Sequence, residues 1–280
     1  MKFYEIVVTF KEVFPWKEIF VSLLADLGCN SFADGESETV LLAYITENNY
    51  NEKKIKALFK QYNSKTNINY LIHEIEQQNW NAIWESNYEP VMIANRCFVR
   101  APFHESNPKA EYEIVIEPKM SFGTAHHETT SLMIEFLLDE ELQKKSVLDM
   151  GAGTGILAIL AYLKGAGKIT AIDNDEWASL NNIENNIQNN AEMIRVKLGD
   201  ASLLTQNEKY DVIIANINRN ILLQDLPIYS SVLNKNGVIF LSGFYEGDDL
   251  EMIINKCREL KLHPAAIKQR NRWCAGKFAS

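Results

Sequence analysis

Ten residues, Val147-Leu148-Asp149-Met150-Gly151-Ala152-Gly153-Thr154-Gly155-Ile156, lead from a buried apolar run through a glycine turn into a helical pattern. Glycines at alternate positions leave no Cβ between a ligand and the main chain, and a helix start offers unpaired N–H groups. The spacing is D-x-G-x-G-x-G. A dinucleotide loop would carry its third glycine where this chain has Ile156, and no G-K-[ST] follows as a P-loop requires. The acidic residue before the loop suits a cationic cofactor better than a pyrophosphate. Three further polar residues stand at the ends of apolar runs. Asp173 follows Gly151 by 22 residues; a carboxylate there can accept from both hydroxyls of a ribose, or cap the next helix. Asp200, in Leu198-Gly199-Asp200, could face an adenine amine or simply turn the chain. Asn216, closing Val212-Ile213-Ile214-Ala215-Asn216, could accept from an amine held beside a reactive methyl, or form a turn. His126-His127-Glu128 raises the question of metal, but adjacent histidines diverge in regular structure and no histidine lies three to five residues away. No metal is expected, and a helix-start role with Thr129 and Thr130 facing a cofactor fits better.

Positioning these residues requires a sheet. From residue 146 onward short apolar strands (147–150, 168–172, 195–198, 212–215, 238–242) alternate with helical patterns (156–163, 176–189, 221–232, 248–259), which implies a parallel sheet covered on both faces. Residues 127–142 precede it as a helix, and 266–278 can add one or two edge strands. The asparagines around 181–190 read as an exposed polar face. The first 76 residues have the order βαββαβ of a ferredoxin-like split unit. Between them, residues 66–95 contain Glu74, Glu76, Glu85 and Glu89 but no Lys or Arg. With Trp80 and Trp84 four apart, this stretch is either an acidic approach for a cationic partner or a connector packed between domains.

The whole chain has 28 Lys+Arg, 37 Asp+Glu and a net charge of −9, which disfavours a grip on nucleic-acid phosphates. Residues 1–65 hold 8 basic and 9 acidic side chains, so the small unit lacks the basic strand face of an RNA-binding version. The longest apolar run, residues 156–163, is too short for a membrane span, and four scattered cysteines suggest a reducing compartment. A cytoplasmic protein is expected.

These pieces in this order resemble the class I S-adenosylmethionine-dependent methyltransferases. Phe122-Gly123-Thr124-Ala125-His126-His127-Glu128-Thr129-Thr130 is similar to the F-G-T-G-T-H-x-T-T signature of the ribosomal protein L11 methyltransferase (PrmA) family. Gln78–Trp84, Ala215-Asn216-Ile217, Leu241-Ser242-Gly243 and Arg272-Trp273-Cys274 resemble further segments of that family. The resemblance implies an α/β Rossmann-like seven-stranded methyltransferase domain over 96–280, a ferredoxin-like substrate-recognition domain over 1–76 and a connector over 77–95. It implies S-adenosyl-L-methionine as cofactor, with contacts at Thr130, Gly151, Asp173 and Asn216. Gly153 of the glycine loop and Asp200 complete the candidate cofactor site, and Asn216 is also the candidate catalytic residue. The implied substrate is ribosomal protein L11, methylated on its N-terminal α-amine and lysine ε-amines by a chain expected to be monomeric. Alternatives are another amine substrate, small molecule or nucleic acid, and a ribosome-associated binding protein without turnover. The chain departs from the signature at Ala125, where the family has Gly, and at His126, where it has Thr; a positive φ at 125 would strain the loop.

Overall fold

The computed structural model describes residues 3–35, 37–63, 66–75, 88–119 and 121–280. The chain divides into two compact units, Met1–Asn87 and Tyr88–Ser280. Trp80, Trp84 and most of the acidic connector lie outside the described residues.

The first unit runs β1 (Phe3–Phe10), α1 (Trp16–Asp26), β2 (Ser31–Asp34), β3 (Val40–Thr46), α2 (Glu52–Tyr62) and β4 (Ile68–Ile75). Its strands pair antiparallel in the order β2-β3-β1-β4, the arrangement of a split βαββαβ unit. Period-two alternation turns Ile6 and Val8 of β1 and Leu41, Ala43 and Ile45 of β3 to one face, where Phe20 of α1 and Phe59 of α2 cover them. Asn51 starts α2 by accepting from Lys54 N at 3.1 Å.

The second unit opens with a small sheet of β5 (Val91–Ile93), β6 (Cys97–Arg100) and β7 (Tyr112–Val115). There follow α3 (Glu128–Asp139), β8 (Ser146–Met150), α4 (Ile156–Leu163), β9 (Lys168–Asp173), α5 (Glu176–Gln188), β10 (Arg195–Leu198), β11 (Tyr210–Asn216), α6 (Arg219–Val232), β12 (Leu233–Tyr245), α7 (Asp248–Glu259), β13 (His263–Arg270) and β14 (Trp273–Ala279). The large sheet has the order β10-β9-β8-β11-β12-β14-β13. Its first five strands are parallel and the last two antiparallel. One core joins the sheet to α3 and α4, the other joins it to α6 and α7, which gives the expected α/β Rossmann-like layering.

The chain leaves β8 toward β9 on one side and returns to β11 on the other. That reversal opens a crevice at the carboxyl ends of β8 and β11. In the tail, β14 is inserted between β12 and β13, so only β13 forms an edge. Helix α6 begins two residues before its apolar pattern because Asn218 caps it, accepting from Ile221 N at 3.1 Å. Among the described residues no helix is long and apolar enough to cross a membrane.

The expectation for the asparagine-rich helix is overturned. Asn181, Asn182, Asn185, Asn186 and Asn189 of and just after α5 are buried, while Trp177, Leu180, Ile183 and Ile187 are exposed. Asn186 donates to Asn182 Oδ1 at 3.0 Å, while Asn185 and Asn189 serve main-chain groups on the open side of β7 and in the segment after it. Asn189 Oδ1 accepts from Val115 N at 2.8 Å and its Nδ2 donates to Val115 O at 2.7 Å. Asn185 accepts from Glu117 N and donates to Thr154 O, both at 2.9 Å. An apolar residue at either position would leave those buried amides and carbonyls unpaired.

Candidate active site

Sheet register assembles the site. Met150 pairs with Ile172 on one side and with Ala215 on the other, so Gly151, Asp173 and Asn216, each one residue further, form a row along the carboxyl edge. Three residues scattered over 66 positions of sequence become neighbours because the three strands are in step.

A cavity of about 990 Å³ opens on this row, lined by Gly151, Gly153, Asp173 and Asn216. Its walls come from the segment before α3 (Ser121, Phe122, His127), from the start of α5 (Asp175, Trp177), from the loop after β11 (Ile217, Asn218) and from Trp273. The volume lies at the upper end for small-molecule sites, enough for a nucleoside-sized ligand with room for an entering side chain.

The glycine loop is built for close approach. Gly151 and Gly153 have φ of +65° and +54°, and a Cβ on Gly153 would stand 2.3 Å from Phe122 O. Phe122 O accepts from Thr154 N at 3.0 Å, and Thr154 Oγ1 donates to Gly123 O at 2.6 Å. The Phe122–Gly123 segment is therefore clasped to the glycine loop, and Asn185 holds the same Thr154 from behind.

Asp149 does not line the cavity. It is fully buried, and its Oδ2 accepts from Ala158 N at 3.1 Å, which caps α4 in place of Gly155, whose glycine has no side chain to do so. Burial pushes its carboxyl up to about 8, against the opposing effect of the Ala158 N–H. The acidic residue before the loop is thus a helix cap rather than a partner for a cationic ligand.

Asp173 accepts from Gly153 N at 2.7 Å through one oxygen and from Asp175 N at 3.0 Å through the other. A carboxylate has about four acceptor positions, so one on each oxygen is left for further donors. The helix cap is Asp175, which accepts from Ala178 N at 3.0 Å. Asn216 donates through Nδ2 to Thr130 Oγ1 at 3.4 Å, while its Oδ1 is buried without a partner. Thr130 itself is fully buried and stands behind Asn216 rather than in the cavity wall; Thr129 lines the cavity. Asp200 is placed elsewhere: its exposed carboxylate accepts from Ser202 N at 2.9 Å, the hydrogen bonds hold its pKa low, and it is absent from the cavity lining.

His127 caps α3, with Nδ1 2.8 Å from Thr129 Oγ1 and accepting from Thr129 N. Its ring packs 4.8 Å from Trp273, which in turn lies 4.1 Å from Tyr245. The sequence reading missed this wall. Along the chain Trp273 stands only in a tail motif, and spacing does not reveal that β14 inserts between β12 and β13. Ala125 does take a positive φ, +69°, in a fully buried position, a conformation that costs an L-residue roughly 1 kcal/mol relative to glycine. His126 is turned out of the cavity, with Nδ1 3.0 Å from Thr124 O and Nε2 3.0 Å from Glu89 O. Among the described residues no three His, Cys, Asp or Glu side chains gather as a metal site would require.

A seven-stranded sheet with a glycine loop after its central strand and polar residues on the neighbouring strand ends defines a class I methyltransferase. The family model described as "Ribosomal protein L11 methyltransferase (PrmA)" matches residues 25–279. The chain is 44% identical over 263 residues to the Ribosomal protein L11 methyltransferase of Phocaeicola vulgatus, covering 93% of this chain and 92% of that one. It is 46% identical over 258 residues to that of Porphyromonas gingivalis, covering 91% and 88%. A crystal structure of ribosomal protein L11 methylase from Lactobacillus delbrueckii subsp. bulgaricus superposes with a TM-score of 0.63 at 26% identity, over 68% of this chain and 98% of that one. The chain belongs to the ribosomal protein L11 methyltransferase family. Its cofactor is S-adenosylmethionine, and the site fits that group: Gly151 and Gly153 line the cavity beside Asp173, whose carboxylate has an acceptor position to spare on each oxygen.

Proposed function

We propose that this chain methylates ribosomal protein L11, at the N-terminal α-amine and at lysine ε-amines, acting as a cytoplasmic monomer without direct contact to nucleic acid. The observation that carries the reading is Asn216. A buried acceptor with no partner costs about 1–3 kcal/mol, and this one lies on the cavity row. The net charge of −9 supports a lysine-rich protein partner over a nucleic acid.

When bound, S-adenosylmethionine supplies a methyl group made electrophilic by a sulfonium. Gly151 and Gly153 present main chain to it, and Asp173 accepts from its ribose hydroxyls through the two positions left free. Thr130, behind Asn216, fixes the amide so that Oδ1 accepts from the substrate amine and points the nitrogen lone pair along the line of displacement. Alignment of this kind lowers a barrier by up to about 7–11 kcal/mol in favourable cases. Only a neutral amine reacts, and its proton passes to water. An α-amine, with a pKa of about 8, reaches that state more easily than lysine at about 10.4.

The test is incubation with radiolabelled S-adenosylmethionine and unmodified ribosomal protein L11, with mass spectrometry to locate the label. Label is expected on the N-terminal amine and on lysines, and an Asn216→Ala variant should lose kcat while still binding cofactor. Cofactor binding without label on that protein would refute the substrate; full activity in the variant would refute the role of Asn216.

A further inference from the structure

The surface beside the cavity carries an unpaired apolar stripe. Trp177, Leu180, Ile183 and Ile187 recur at intervals of three, three and four residues, which places them on one face of α5. They are 81%, 50%, 45% and 58% exposed. The opposite face holds the buried asparagines, so this side chain pattern is inverted relative to a helix that packs by hydrophobic burial. Single exposed apolar residues are ordinary, but a continuous row marks an interaction surface.

Charge and position identify what the row takes. Residues 173–194 contain five acidic side chains and no Lys or Arg; of these Asp175, Glu176, Glu184 and Glu192 are exposed. Lys119 reaches in from the preceding loop and pairs with Glu184, leaving the helix surface net negative. The stripe begins at Trp177, which also lines the cavity. An apolar row edged by carboxylates and ending at the rim of the cavity fits a basic protein segment with apolar side chains, held while its amine enters.

We propose that the outward face of α5 docks the basic protein substrate, through Leu180, Ile183 and Ile187 against its apolar side chains and through the flanking carboxylates against its lysines. This rests on the reading of the chain as a methyltransferase for ribosomal protein L11. The exposed helix surface contributes to KM for the intact protein beside the small substrate-recognition unit and leaves the chemistry at Asn216 untouched.

The test compares wild type, the L180S/I187S pair and the L180K/I187K pair, at saturating S-adenosylmethionine. One substrate is intact ribosomal protein L11; the other is a short peptide carrying the same N-terminal amine. Removing two apolar anchors should raise KM for the intact protein roughly tenfold with kcat unchanged. The lysine pair should raise it about threefold further, because it adds like charge. The peptide's kcat/KM and the cofactor Kd should stay within twofold. A KM for intact protein within twofold of wild type in both variants overturns the proposal, as does a lysine pair no worse than the serine pair. A parallel fall for the peptide overturns it by placing the effect in the pocket. A dimer that the lysine pair splits into monomers assigns the face to a second copy of this chain and overturns it as well. If wild type binds cofactor but transfers no label to ribosomal protein L11, the substrate reading fails first and the docking proposal falls with it.

Discussion

Helices α4 and α5 are neighbours in sequence and both begin at the cavity row, yet they are held in place by opposite means. Helix α4, Ile156–Leu163, buries Ile156, Leu157, Ala158, Ile159, Leu160 and Ala161 and is capped from beneath by Asp149. Helix α5 buries asparagines and leaves its large apolar side chains in solvent. The difference lies in what each faces. One packs on strands whose main chain is already paired; the other packs on the stretch 115–117 and on Thr154, whose amides and carbonyls need partners. Where a buried neighbour has polar main chain to satisfy, hydrogen-bonding capacity outweighs hydrophobicity in deciding which face turns inward.

The same substitution made on both helices separates the two cases. Ile159→Ala removes a fully buried side chain and should destabilise by about 3 kcal/mol. Ile183→Ala, 45% exposed, should change stability by less than about 0.5 kcal/mol. Denaturant titrations of both variants check this, and equal losses would erase the contrast. Asn185→Leu sharpens it. A helix packed by hydrophobic burial would tolerate leucine there, whereas loss of the bonds to Glu117 N and Thr154 O should cost about 2–3 kcal/mol by the same measurement.

Asp149 gives the comparison a pH dependence. Its carboxyl is pushed from the ordinary aspartate value of 3.8 up to about 8 in the folded protein, so folding binds a proton between those values. The stabilising contribution is complete below about pH 4 and is lost as pH rises through about 8. Asp149→Asn keeps an acceptor for Ala158 N and cannot ionise. Its melting temperature should therefore fall less than wild type's between pH 5 and 8; parallel profiles would show that Asp149 ionises without penalty in the fold.

The glycine loop, Asp173 and Asn216 were legible because each follows an apolar run long enough to read as a strand, and a parallel sheet brings strand ends together. The α/β layering followed from the same alternation. Other parts depend on contacts that spacing does not carry. The inward asparagines answer to a main-chain stretch some 65–75 residues earlier. Trp273 reaches the cavity only because β14 inserts between β12 and β13. Asp149 and Asp200 are both acidic residues beside glycines, and each turned to local main chain instead of the cavity. A carboxylate near a loop has two uses, capping and binding, and only geometry separates them.

The row Gly151, Asp173 and Asn216 is the centre of this reading, and cofactor affinity tests it most directly. Isothermal titration of S-adenosylmethionine into wild type and Asp173→Ala, with thermal melts of both unliganded proteins as a control for folding, would read what the carboxylate contributes, through ribose contacts and through its hold on Gly153 N. The expected result is binding by wild type and a Kd about 30–100-fold weaker in the variant, as loss of hydrogen bonds to a charged group implies. Equal affinity in a folded variant, or no binding by wild type, would contradict it.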